Sequence, residues 1–110
     1  MANSFTRRTS RSVGTAATRV GSYTVNAATS VTVIGLSVSN VTGSTISANV
    51  YHSDGTNNTF IVYNAPVPAG GALVAVGGDQ KIVLTAGDGI FVQSSAASSL
   101  DAIMSVLEIT

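Results

Sequence analysis

Cysteine and tryptophan are absent from this 110-residue chain, histidine occurs once, and charged residues make up only 9% of it. Without cysteine there is no disulfide framework and no thiolate metal site, and the redox compartment goes unrecorded. One histidine and dispersed aspartates supply no clustered donor set for a metal ion. The charged fraction falls well below the roughly 25% usual in soluble domains. A free monomer would therefore have little electrostatic protection against association. No apolar run approaches the roughly 18 residues of a membrane span. The polar, basic start Met1–Ser12 lacks the apolar h-region of a secretory signal. The expectation is a protein made in a cytoplasm that stays soluble or joins an assembly there.

What is present is apolar and small. Hydrophobic residues reach 45%, mostly Ala, Val, Ile and Leu, with Ser, Thr, Asn and Gly filling the rest. Disorder needs the opposite balance, low hydrophobicity and high charge. The length fits one domain with a single core. The stretch Ala65–Val92 sets the pattern. Leu73–Val76, Lys81–Thr85 and Ile90–Gln93 are short β-branched runs. Gly77-Gly78-Asp79 and Ala86-Gly87-Asp88-Gly89 separate them with turn residues. Pro66 and Pro68 hold the preceding segment extended and cannot donate to a central ladder. This is a β-meander, and it must bury one face on a second sheet.

The other segments read as partners for it. Val20–Val25 is the first expected strand, and Val31–Asn40 the second. The alternation of the second restarts at Ile34, beside Gly35, which predicts a β-bulge or a strand buried on both faces. Thr45–Tyr51 and Thr59–Asn64 flank Ser53–Asn58, whose Asp-Gly is the strongest hairpin signal in the chain. Phe60 and Val62 are expected on one face of the return strand, Ile61 and Tyr63 on the other. Ser94–Leu100 is a loop. Asp101–Ile109 closes the chain, with Ile103, Leu107 and Ile109 on one face and Met104 and Val106 on the other. The fold class is all-β: an antiparallel β-sandwich of about eight short strands, jelly-roll or Ig-like.

Candidates for chemistry are few. His52 adjoins Ser53 and Asp54, but a catalytic triad needs groups converging from separate elements. A solvated loop histidine is the expected reading. Asp79 and Asp88 sit in matching turns and suggest turn chemistry, with a shared calcium ion as the alternative. The glycine pairs do not form a phosphate loop, since no helix and no Gly-Lys-Ser/Thr follows. Asn40-Val-Thr42 and Asn57-Asn-Thr59 match the glycosylation pattern by chance. No enzyme activity and no cofactor or metal is expected.

Charge is unevenly placed. Arg7, Arg8, Arg11 and Arg19 precede every acidic residue; Asp54, Asp79, Asp88, Asp101 and Glu108 follow. Residues 1–19 read as an extended basic N-terminal arm, with Phe5 as an apolar anchor, and residues 20–110 as the sandwich domain. The arm is either a frayed end or a docking element for an acidic protein surface. Nucleic acid is not the expected partner, because four arginines and one nearby aromatic make a weak phosphate footprint. Several strands are apolar on both faces, whereas a lone antiparallel sheet keeps one face polar. Ile61, Val83 and Phe91 are therefore candidate interface residues. Phe60, Ile82, Leu84, Ile90 and Val92 are assigned to the core face opposite, and the expected state is a homo-oligomer, a trimer or ring.

The segments Phe5-x-Arg7, Val13-Gly14-Thr15, Gly21-x-Tyr23-Thr24-Val25 and Thr32-Val33-Ile34-Gly35-Leu36 are suggestive together. So are Asn64-Ala65-Pro66-Val67-Pro68-Ala69-Gly70, Gly77-Gly78-Asp79-Gln80-Lys81, Ala86-Gly87-Asp88, Ser98-Ser99-x-Asp101 and Ser105-Val106-Leu107-Glu108. With these strings the chain resembles small virion structural proteins of tailed bacteriophages, of the marine and cyanobacterial type. The resemblance implies a non-enzymatic virion subunit made in the host cytoplasm. It would decorate or cement the capsid, or sit in the neck or tail, with other virion proteins as partners and no membrane. The alternative is a host-receptor or carbohydrate-binding sandwich module. That reading lacks a tryptophan platform and has only Tyr23, Tyr51 and Tyr63.

Overall fold

The structure is a computed structural model and describes residues 3–77 and 80–110. The expected turn at Gly78-Asp79, and with it the paired role of Asp79 and Asp88, lies outside the described residues. Among the described residues there are nine strands: β1 Asn3–Val13, β2 Thr18–Arg19, β3 Ser30–Asn40, β4 Ile46–Ser53, β5 Asn58–Val67, β6 Ala72–Val76, β7 Ile82–Leu84, β8 Gly89–Ser94 and β9 Leu100–Ile109. They form two antiparallel sheets. Sheet A runs β1-β9-β3-β6, with β7 also on β3; sheet B runs β2-β8-β4-β5. When β6 and β7 count as one interrupted strand, this is the order of an eight-stranded jelly roll.

Alternation decides the core. Val31, Val33, Leu36 and Val38 of β3, Met104 and Val106 of β9, Val50 of β4 and Val92 of β8 are each at most 2% exposed and face one another between the sheets. The expected β3 bulge is present: the β9 register skips between Val33 and Gly35, leaving Ile34 as the extra residue. The hairpin is present as well. Asp54 Oδ1 accepts the N–H groups of Thr56 (2.9 Å) and Asn57 (2.7 Å), and Gly55 takes φ +95°. Asn40 is 2% exposed, which leaves no access to its glycosylation motif. Its amide donates to the carbonyls of Ser44 (2.7 Å) and Val67 (3.0 Å), and its oxygen accepts from Thr42.

Three expectations are corrected. First, the boundary at residue 19 is no boundary in the fold. Residues Asn3–Ser10 pair one for one with β9, from Ile109 to Ala102, so the expected arm is the edge strand of sheet A. Its polar sequence carries no strand signal of its own; β9 supplies the hydrogen bonds. Second, Val20–Ser22 is a 3₁₀ turn rather than the start of a strand. Gly21 (φ +63°) and Ser22 (φ +52°) reverse the chain there, and Tyr23 and Val25 are buried without joining a sheet. Third, Phe60 is not in the core. The β4–β5 register shifts on both sides of Val50, so Ile61 is an extra residue between Phe60 and Val62. That bulge turns Ile61 and Val62 toward the core and leaves Phe60 47% exposed.

Candidate functional site

The outer face of sheet A is built from rows that cross four strands. Phe5 pairs with Leu107, Leu107 with Thr32, and Thr32 with Val83. Thr9 pairs with Ile103, Ile103 with Ser37, and Ser37 with Val74. Antiparallel partners share a face, so each row projects to the same side. Phe5 (76% exposed), Val74 (67%) and Val83 (64%) are the most open apolar residues of this face. The β3 residues between them are Thr32, Gly35, Ser37 and Ser39, small enough to keep the face low.

The outer face of sheet B carries four of the chain's six aromatic residues. Tyr51 stacks on Phe91 at 5.2 Å, meets Phe60 edge-on at 5.3 Å, and Phe60 meets Tyr63 edge-on at 4.9 Å. Sequence reasoning named Phe91 as an interface residue and Tyr51 and Tyr63 among the aromatics of the alternative binding module, but placed Phe60 in the core. The hairpin held the signal: a turn centred on Gly55-Thr56 sets Tyr51 directly opposite Phe60. Beside the rings, the Asn49 amide donates to Gln93 Oε1 at 3.2 Å.

The basic segment divides. The Arg8 guanidinium lies 4.2 Å from the Tyr23 ring centre, and that of Arg19 lies 4.6 Å from the Phe91 ring centre. Both side chains are half-buried against these rings, and Arg8 Nε, Arg19 Nη1 and Thr6 Oγ1 are buried without a hydrogen-bond partner. Arg7 and Arg11 are exposed. The Tyr23 hydroxyl donates to Glu108. Burial first, then the hydrogen bond to Glu108 and its charge, push the Tyr23 hydroxyl well above the usual tyrosine range, against the opposing pull of Arg8. Tyr23 therefore stays a neutral donor joining the 3₁₀ turn to β9.

His52 is not a solvated loop residue. It is half-buried at the end of β4, and its Nε2 lies 3.0 Å from Asp88 Oδ2. The same oxygen accepts the Thr85 N–H at 3.0 Å. Burial works against ionisation of Asp88, but the Thr85 N–H and the His52 ring outweigh it and hold the carboxyl below its ordinary value. Ser53 and Asp54 do not join this pair; both bond the hairpin backbone. His52 also borders an open cleft of about 370 Å³, shared with Ile61, Ile82 and Val83. Of the three candidate interface residues, the structure brings Ile61 and Val83 to this cleft and leaves Phe91 on the outer face of the other sheet. Among the described residues, no group of three His, Asp or Glu side chains is placed to hold a metal ion.

No protein-family model matches the chain, and no curated protein matches it. Solved structures do. The disulfide-linked pili of Bacillus endospore appendages match with a TM-score of 0.56 and 14% identity, over 99% of this chain and 87% of that one. The T13 particle of infectious bursal disease virus matches at 0.54 and 12%, over 96% of this chain and 35% of that one. The VP2 subviral particle of the same virus matches at 0.54 and 12%, over 97% and 32%. The chain thus spans about a third of the viral chains it matches. At these identities the likeness is one of fold.

Proposed function

We propose that this chain is a non-enzymatic structural subunit of a virion, of the tailed-phage type. It decorates or cements the capsid or forms part of the neck or tail, and it docks on copies of itself and on other virion proteins. The observation that carries the reading is the set of large apolar side chains left open on both outer sheet faces. Phe5, Val74, Val83 and Ile103 stand open on one, and Phe60 and Tyr63 on the other. A sandwich that worked alone would present polar side chains there. The jelly roll supports the reading, since proteins of viral particles share it. It is shared with disulfide-linked pili too, but a chain without cysteine has no such linkage available. Arg7 and Arg11, exposed and without acids on their own strand, supply the charge for docking on an acidic neighbour.

The aromatic cluster favours a second reading, a module gripping a carbohydrate or receptor through Tyr51, Phe60 and Tyr63 beside Asn49 and Gln93. Against it, Phe60 stands edge-on to both Tyr51 and Tyr63, so these three rings share no plane, and the parallel pair Tyr51–Phe91 already carries the Arg19 guanidinium over Phe91. Light scattering of the purified protein, alone and mixed with shell or tail proteins, tests the first reading. Oligomers or co-assembly are expected; a monomer under both conditions that binds a glycan array would transfer the role to the second.

A further inference from the structure

The four sheet edges are not alike. In sheet B, β2 is two residues long, and β5 is broken by two register shifts, the left-handed Asn64 (φ +50°) and Pro66. Such features blunt an edge against pairing. In sheet A, β1 runs from Asn3 to Ser10 with no shift, largely exposed, and among the described residues no strand pairs its other side. The opposite edge of sheet A is formed by β7 and β6, laid end to end along β3 with one register shift, at Ala75 of β6. The two edges span the same rows: β9 separates β1 from β3, and β7 and β6 lie on the far side of that β3 stretch.

We propose that sheet A of one copy continues into sheet A of the next, with the β1 edge of one chain pairing against the β7–β6 edge of another. This rests on the subunit reading above and names its self-contact. Three observations support it. Polarity fits: every pairing in the sheet is antiparallel, so β1 runs with β3 and against β6 and β7. Two copies in the same orientation therefore extend the sheet by its own rule. Apolar ends fit: Phe5 and Val83 terminate one row at opposite edges, and continuing that row sets Phe5 beside Val83 of the next copy. Charge fits as well. Two-fold pairing of β1 with β1 would oppose strands that carry Arg7, Arg8 and Arg11 and no acid, and like charges across a ladder are destabilising. The β6 and β7 strands, ALVAV and IVL, carry no charge. Because the joined edges differ, each copy binds two neighbours, which gives a closed ring or a filament.

The test uses Phe5→Asp and Val83→Asp, both at exposed positions, with circular dichroism to confirm folding. Each variant alone should lose the higher assemblies of the wild type. An equimolar mixture should yield a species of two chains, because the intact β7–β6 edge of the first variant meets the intact β1 edge of the second. As a second measurement, oxidation of the Phe5→Cys/Val83→Cys double variant should give a ladder of cross-linked chains. Neither single cysteine variant should go beyond a dimer. A wild-type oligomer untouched by both aspartates, and without the ladder, overturns the edge contact while leaving the subunit reading intact. A Val83→Asp protein that stays dimeric assigns the contact to β1 with β1 and overturns the proposal. A wild type that is monomeric at every concentration, with and without particle partners, overturns both.

Discussion

His52 Nε2 and Asp88 Oδ2 lie 3.0 Å apart although 36 residues separate them in the chain. The pair ties the end of β4 to the β7–β8 turn, and the Thr85 N–H completes the carboxylate's partners. The folded Asp88 carboxyl ionises below its ordinary value of 3.8. Its stabilisation is thus whole above that value and is lost as pH falls through the lower, folded one. Thermal melts of the wild type should decline as pH drops below about 4, and Asp88→Asn should flatten that decline. At pH 7 the same variant should cost about 1–3 kcal/mol, because buried donors lose a charged acceptor.

Two glycines should respond differently to alanine. A Cβ at Gly21 would stand 2.7 Å from Arg8 Cβ and 3.2 Å from Arg8 Cα, on a backbone with φ +63°. The left-handed backbone alone costs about 1–2 kcal/mol, and β1 must also shift. A Cβ at Gly89 would fall 1.9 Å from Arg19 Nη1, the far end of a side chain that can swing away. Losing the contact with Phe91 costs about 0.5–1 kcal/mol. Denaturant melts should therefore rank Gly21→Ala below Gly89→Ala in stability.

The arginines of β1 should separate into structural and docking residues. Arg8→Ala should destabilise the fold by about 0.5–2 kcal/mol through the lost contact with Tyr23. Arg7→Ala and Arg11→Ala should stay within about 0.5 kcal/mol of wild type. Their effect should appear in salt-dependent binding to particle partners, since exposed ion pairs are screened. Deletion of residues 1–13 should remove an edge strand and the buried Val13 (2% exposed). A folded, fully stable truncated body in a denaturant titration would contradict the role given to β1.

Asn40→Ala should rank among the costlier single changes. The amide bridges the β3–β4 turn to the Val67 carbonyl of β5. Its removal should cost about 1–3 kcal/mol, since it strands a buried carbonyl. Urea melts are the measure, and a Tm indistinguishable from wild type would deny the side chain this bridging role.

Phe60→Ser and Val50→Ala should act on different properties. Phe60 is 47% exposed, whereas Val50 is fully buried. The first should change association more than melting. The second should lower stability by about 2 kcal/mol with oligomers still formed by the remaining folded protein, because it opens a core cavity. Light scattering and melting on the same samples distinguish the two.

Local chemistry in the chain determined the sandwich class, the Ser53–Asn58 hairpin, the slip at Gly35 and the two faces of β9. Alternation fixes which side a residue takes, and Asp-Gly fixes where the chain reverses, without reference to any distant segment. The tertiary structure alone decided the rest. Asn3–Val13 became a strand because β9 offered an unpaired edge, although its own Ser, Thr and Arg residues show no alternation. Phe60 left the core because Ile61 bulges against β4, and a bulge exists only relative to the strand opposite. Val83 and Phe91 belong to opposite sheets, a division that period-two spacing within each run does not express. Arg8, Arg19 and His52 found partners that only the packing of distant turns brings within reach. Alternation groups the residues of an unbroken run onto two faces, but where a bulge breaks the run, and which side chains meet, is set by the strand register across the fold.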